Sequence, residues 1–316
     1  LLEEATISLV AYVTRVTEAT VQMSSRSDRN LKCMVEASDE TIAQALSLLV
    51  LVFTKHSFND THPNELEKAI AGCVALIKHV PDSGSQTTNF ALQIVATLCG
   101  QSRSSCKTFA GLGGIQLLAP MVREWTRESQ YCLATEIVSN MLTNFRGATV
   151  PILVEEQLVQ TLTTSLKQMI KKRGMSLYYE SAVHTLECIR LIAEDEWACA
   201  DGAKDLHACL EEVTSATLKL VGFDSTRTSA AGLRTLSALL KFERESVKSL
   251  IFKDADVIAA KLDECMCGDT CYPLVDILRS GSTGNEDSKR RRVGTSNEHR
   301  LARFHKRSKS GSDSES

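Results

Sequence analysis

Three groups of residues in this sequence have the types and spacing to do chemistry. The segment FAGLGGIQLLAPMV, residues 109–122, places Gly111, Gly113 and Gly114 where a helical pattern begins. A glycine-rich loop in that position can hold phosphate on its backbone N–H groups. The segment CMCGDTC brings the thiols of Cys265, Cys267 and Cys271 within seven residues, and thiolates are zinc ligands. His184 and Cys188 are four apart on one helical face, with Cys199, His207 and Cys209 following.

Each group fails a test of context. A phosphate loop needs a Lys followed by Ser or Thr, but Gly114 is followed by Ile115 and Gln116. It also needs a preceding strand, whereas this segment follows a helical pattern. Glycine there is better explained by a positive φ at a helix terminus and by close helix approach. The three clustered cysteines lack a nearby His or second C-x-x-C pair to complete a zinc site. The His184 set matches no familiar ligand spacing. No G-x-S-x-G and no protease-type cysteine signature is present. The pairs Glu155-Glu156 and Glu211-Glu212 are adjacent on helices and so diverge. The expectation is a chain with no catalytic residues, no metal, no cofactor and no small-molecule substrate.

Charge divides the chain into two parts. Residues 285–316 hold nine Lys/Arg and five Asp/Glu, a tail of +4 on a body of −7. The tail is rich in Ser, Gly and charge and poor in apolar residues, which predicts disorder. Within it Lys289, Arg290, Arg291 and Arg292 resemble a nuclear import signal, and a second cluster holds Arg300, Arg303, Lys306, Arg307 and Lys309. Such clusters engage an import receptor, or nucleic acid through counterion release. The run from Ser310 to Glu315 has the pattern of an acidic phosphoacceptor site, whose phosphate would oppose the basic cluster.

The elements beneath these residues are helices. Hydrophobic residues make up 43% of the 316-residue chain, aromatics 5%, with five prolines, a composition that disfavours an all-β sandwich. The longest strongly apolar run, Ala45 to Phe53, is far shorter than a membrane helix of roughly 20 residues. No basic stretch precedes a signal-peptide core. Eleven scattered cysteines predict reduced, buried thiols of an intracellular protein. The start Leu1-Leu2-Glu3-Glu4, already inside a helical pattern, predicts a processed chain or a piece of a longer one.

These helices repeat. Residues 89–122 and 131–166 share one plan: an apolar helix, a polar break, a short apolar segment, a small break, a second apolar helix. Leu98 precedes Ile115 by 17 residues, as Met141 precedes Leu158, Phe53 precedes Ile70 and Leu240 precedes Val257. A looser unit runs from Ile192 to Leu206 and Leu210. The anchors Phe53, Leu98, Met141, Ile192 and Leu240 lie 45, 43, 51 and 48 residues apart. All-helical periods of this length belong to armadillo and HEAT solenoids, whose units share one elongated core because none can bury its own apolar stripe.

On these residues, and on ALQIVATLC followed by KTFAGLGGIQLLAPMV above all, the chain resembles the armadillo family. The resemblance implies an all-α, right-handed superhelical solenoid of about five to six armadillo/HEAT-like repeats over residues 1–280, then a disordered tail over 281–316. The third and fifth units fit a HEAT-like description equally. It further implies a groove lined by third helices, where import receptors of this family repeat a Trp and an Asn four residues apart. The Trp slots here read Leu48, Gln93, Glu136, Glu187 and Thr235, and the Asn slots Val52, Thr97, Asn140, Leu191 and Leu239. Only Asn140 agrees, which argues against an import-receptor function. Residues on the same faces are the candidate partner-binding groove: Asn89, Gln93 and Thr97; Glu136, Asn140 and Asn144; Glu187 and Arg190.

The expected function is a non-enzymatic interaction scaffold or adaptor that binds a protein segment, extended or helical, in this groove. The expected location is the nucleus, with shuttling to the cytoplasm allowed, and no membrane contact. The alternative is a structural subunit of a nuclear DNA- or RNA-associated complex whose basic tail touches nucleic acid.

Overall fold

Apolar residues at three- and four-residue spacing dictate helices, and the described residues hold helices and turns without a strand. A computed structural model of the chain describes residues 4, 6–12, 14–15, 29–55, 63–79, 86–171, 176–194, 202–223, 225–267 and 270–283. After a short N-terminal helical piece come α1 (Arg29–Lys55), α2 (Pro63–His79), α3 (Gln86–Gln101), α4 (Arg103–Gly111) and α5 (Gly114–Arg123). They are followed by α6 (Glu128–Asn144), α7 (Arg146–Glu155), α8 (Leu158–Lys171), α9 (Ser176–Ala193) and α10 (Gly202–Val221). The last are α11 (Thr226–Phe242), α12 (Arg244–Ile251), α13 (Ala255–Glu264) and α14 (Tyr272–Thr283). This last helix ends three residues beyond the boundary expected at 280. Among the described residues no helix is long and apolar enough to cross a membrane.

The chain divides into two compact units, and the division falls inside α8 between Ser165 and Leu166. Both use the same order of a short first helix, a second helix and a long third helix. The triplet α4, α5, α6 is complete in the first unit, and α12, α13, α14 in the second. Six helices are of the third type: α1, α3 and α6 in one unit, α9, α11 and α14 in the other. They also make the broadest contacts, α1 on α3 and α3 on α6, and α9 on α11.

The sequence anchors are core residues. Phe53, Leu98, Met141, Ile192 and Leu240 are all buried, as are Ile70, Ile115, Leu158, Leu206 and Leu210. Each such side chain contributes about 1.5–3 kcal/mol by leaving water. Val257 departs from the pattern. It is 45% exposed, and its neighbour Ile258 is buried instead. The two earlier first-to-second-helix turns pass through a left-handed residue, Gly113 (φ 74°) or Gln157 (φ 54°). The third is a 3-10 turn, Phe252–Asp254, which brings α13 out in a different rotation, and one residue turns a helix by about 100°. Buried threonines satisfy their hydroxyls locally: Thr135, Thr185 and Thr217 each donate to the carbonyl four residues back.

The turn at Leu112–Gly113 shows what its glycines do. The N–H groups of Leu112 and Gly113 donate to Thr108 and Ala110 and so close α4, and neither is left for an anion. Gly113 supplies the left-handed conformation that costs other residues about 1–2 kcal/mol. Gly114 supplies space, because a Cβ there would lie 2.4 Å from the ring of Phe109, which is fully buried. The carbonyl side of the turn is used as well. Leu112 O accepts from Lys78 Nζ at 3.2 Å, and the matching Glu156 O accepts from Arg123 Nη2 at 2.8 Å. A cation near the end of α2 and another at the end of α5 thus seat on the turn that follows in the next repeat.

Replacing Gly114 by Ala is expected to lower unfolding free energy by about 1–3 kcal/mol through overpacking against Phe109. Replacing Gln157 by Gly is expected to raise it by up to about 1 kcal/mol by relieving the left-handed conformation. Urea midpoints at constant slope read both. A Gly114→Ala protein with the parent midpoint would mean that Phe109 moves aside freely.

Candidate functional site

A third helix covered by neighbours on most sides keeps only one stripe in solvent. On α3 the half-exposed positions include Asn89, Gln93 and Thr97, while Leu92, Ile94, Val95, Ala96 and Leu98 around them are buried. On α6 the equivalent stripe holds Glu136, Asn140 and Asn144, and on α9 it holds Glu187 and Arg190. All eight groove candidates are therefore half-exposed on otherwise buried helices. Periodicity places them so: steps of three and four residues return to one face.

Two of them already have work inside the fold. Asn140 Nδ2 donates to Ala96 O at 2.9 Å, and Asn144 Nδ2 donates to Cys99 O at 2.7 Å and Gly100 O at 3.3 Å. Cys99 and Gly100 belong to the last turn of α3, where carbonyls lack helical partners. Other third helices make the same kind of bond. Gln101 Nε2 reaches Phe53 O in the last turn of α1 at 2.8 Å, and Thr235 Oγ1 reaches Leu186 O of α9 at 3.1 Å. Gly100 leaves room for this, since a Cβ there would stand 3.2 Å from Asn140 Nδ2. Asn140 and Asn144 thus bind the backbone of α3 and offer a partner only their remaining amide capacity.

The other candidates differ. Thr97 bonds back to Gln93 O at 2.9 Å. Asn89 Oδ1 is buried without a hydrogen-bond partner among the described residues, an arrangement that costs stability unless something donates to it. Arg190 is held by two carboxylates of its own helix. Its Nη2 and Nε meet Glu187 at 2.5 and 3.0 Å, and its Nη1 meets Glu194. The Glu187 hydrogen bonds hold its already high pKa higher still.

The fixed alignment of Trp and Asn slots loses register beyond α6. Leu191, Thr235 and Leu239 are buried, so none faces a groove. The interval of 51 residues between Met141 and Ile192 is where a constant period fails. The exposed stripe of α9 instead carries Glu180, His184, Glu187, Arg190 and Glu194, and that of α11 carries Arg227, Arg234 and Lys241. These charges recur every seven residues, a signal that sequence reading passed over.

Stacked helix triplets of this form recur in solved structures. A designed armadillo repeat protein is 14% identical to the chain with a TM-score of 0.58, over 83% of this chain and 98% of its own. The fold is armadillo-like. A second designed armadillo repeat protein, in complex with the peptide (KR)4, gives 0.55 at 12% identity over 82% of this chain and 98% of its own. An engineered protein gives 0.59 at 15% identity over 84% and 97%. No protein-family model matches the sequence, and no curated protein matches it.

Within the armadillo-like fold the remaining candidate chemistry disperses. Cys265 Sγ points to Thr226 O at 3.6 Å, Cys267 Sγ to Cys265 O at 3.3 Å, and Cys271 packs beside Thr270. Cys188 is fully buried, while His207 stacks on Phe242 with ring centroids 4.7 Å apart. Cys199 lies outside the described residues, as do Lys289, Arg290, Arg291 and Arg292. No three His, Cys, Asp or Glu side chains among the described residues converge in a metal-binding arrangement. Of the paired carboxylates, Glu156 is taken by Arg123 at 3.1 Å and Glu212 by Lys167 at 2.9 Å. Burial pushes the thiol of Cys73 up to about 12 and that of Cys271 up to about 11, and raises Cys188 as well.

Raised thiols are protonated at pH 8 and react slowly. Iodoacetamide at that pH is expected to leave Cys73, Cys188 and Cys271 unmodified in the folded protein and to label all three in guanidinium, as peptide mass spectrometry would read. Truncation of Asn140 or Asn144 to Ala is expected to cost about 1 kcal/mol each, for the hydrogen bonds lost. Gln93→Ala should stay within about 0.5 kcal/mol. Equal losses for Gln93 and the two asparagines would remove the distinction between clamp and free surface.

Proposed function

We propose that this chain is a non-enzymatic interaction scaffold that binds a protein segment across the exposed stripes of its third helices. One observation carries the reading. Helices whose other faces are buried present a row of half-exposed polar side chains, Asn89, Gln93 and Thr97 on α3 and Glu136 beside Asn140 on α6. Amides and hydroxyls spaced along stacked helices match the donors and acceptors of an extended backbone, which is how peptides gain affinity without deep pockets. The designed armadillo repeat protein that holds (KR)4, and another designed for modular peptide recognition, lend support by analogy of fold. A cleft between α2 and α4, lined by Leu66, Ile70, Ser102 and Ser105, has room for about one water.

The scaffold's place of action is the nucleus under this proposal. Its support is the sequence Lys289-Arg290-Arg291-Arg292 in a tail of net charge +4, which an import receptor would read. The same charge favours a second reading, a structural subunit of a nuclear complex whose tail rests on DNA or RNA phosphates.

Peptide-display panning against the full chain is expected to yield binders whose affinity falls at least tenfold with Gln93→Arg and stays level with Lys68→Ala on the outer face of α2, with melting temperatures unchanged. Binders indifferent to Gln93 would end the groove reading. Alanine at residues 289 to 292 is expected to abolish nuclear accumulation of a fluorescent fusion of the full chain; an unchanged distribution would count against import through this cluster. Retention of a labelled RNA duplex by the parent, lost in the same variant, would favour the second reading.

A further inference from the structure

The exposed stripes of α9 and α11 carry charges in one shared register. Glu180, Glu187 and Glu194 follow one another at intervals of seven on α9, and Arg227, Arg234 and Lys241 do so on α11. Seven residues return a helix to nearly the same face, with a drift of about 20°. Each α11 cation stands 47 residues after the matching α9 carboxylate. Three cross-helix ion pairs would be the simple outcome, yet only the first forms, between Arg227 Nη1 and Glu180 Oε1 at 3.1 Å.

Arg190 explains the other two. It projects from α9 with its side chain 19% exposed and takes both Glu187 and Glu194. Arg234 and Lys241 are left without a carboxylate partner among the described residues. Between them, three residues after Arg234 and four before Lys241, Ser237 is 3% exposed, and its Oγ has no hydrogen-bond partner among the described residues. Every carboxylate on the α9 stripe is engaged, so the unspent charge of this surface is positive.

We propose that the α9–α11 face receives an acidic segment of a protein partner, whose carboxylates bind Arg234 and Lys241. This rests on the scaffold reading above and names the chemistry of the segment. The two cations lie about 10 Å apart along α11, from seven residues at 1.5 Å each. A peptide can place carboxylates at such an interval and leave uncharged residues over Glu187 and Glu194. A nucleic acid strand fits this pattern less well, because it carries a phosphate at every nucleotide and would run negative charge across those carboxylates.

Fluorescence anisotropy on the full chain at low salt tests this with three labelled probes: a Glu-Ser alternating dodecapeptide, its Lys-Ser counterpart, and an oligothymidine of equal length. The Glu-Ser probe should bind tightest. Its affinity should fall at least tenfold in the protein carrying both R234E and K241E, less than twofold with Lys219→Glu on α10, and should survive Arg234→Lys. Circular dichroism melting checks that each variant folds. Tighter binding of the Lys-Ser or thymidine probe, a double variant no weaker than Lys219→Glu, or no binding by any probe would overturn the assignment. Panned peptides that depend on Gln93 but ignore R234E and K241E would overturn it too, while leaving the scaffold reading intact.

Discussion

In the first compact unit, the stacking of the third helices depends on how a helix buried on most sides satisfies the carbonyls of its last turn. Four C=O groups at a helix end have no intrahelical donor, and an unpaired buried carbonyl costs about 1–3 kcal/mol. The third helices meet this need from one another. Gln101 of α3 reaches into the last turn of α1, and Asn144 of α6 into the last turn of α3. Asn140 and Thr235 add second donors to carbonyls already inside a helix. A side-chain amide has a fixed reach, so these bonds set both the spacing and the register of one third helix on the next. A hydrophobic contact alone would tolerate sliding.

The turns between first and second helices accept a similar contact. Lys78 and Arg123, both at the ends of second helices, donate to Leu112 O and Glu156 O of the following turns. Such half-exposed pairs contribute little free energy individually. Their value is geometric, since they recur at equivalent places and position these two turns against the helix before each. The left-handed residue belongs to the same arrangement, because it directly follows the accepting residue, Leu112 or Glu156, and its own carbonyl starts the second helix by accepting from Leu117 or Thr161. That is why Gly113 and Gln157 occupy one structural role despite their different chemistry.

Much of this was legible in the sequence, and the part that was not has a physical cause. Phe53, Leu98, Met141, Ile192 and Leu240 could be found because core positions must follow the helical period wherever a helix packs on another. Gln93, Glu136 and Glu187 followed from the same period read on its solvent side. Leu191, Thr235 and Leu239 were misplaced, because a loop of different length rotates every later helix relative to a fixed alignment. Val257 failed for a kindred reason, a 3-10 turn replacing a left-handed one. The double duty of Asn140 was invisible, since a sequence shows that a residue faces outward but not that its neighbour's backbone lies within 3 Å.

Charge patterns show the limit most clearly. The sevenfold spacing of Glu180, Glu187 and Glu194 and of Arg227, Arg234 and Lys241 is written in the sequence, yet the sequence alone suggests a balanced surface. Balance is broken by Arg190, one residue outside the pattern, which draws two carboxylates to itself through short-range, partly desolvated contacts stronger than those across the helix gap. The α3 and α6 stripes carry mostly amides and hydroxyls, which suit a peptide backbone and discriminate poorly among side chains. The α9 and α11 stripes carry charges, which govern encounter rate and partner choice more than affinity. Under the proposed scaffold reading, backbone recognition and charge recognition fall to different third helices, and a change at Arg190 would alter the second without disturbing the first.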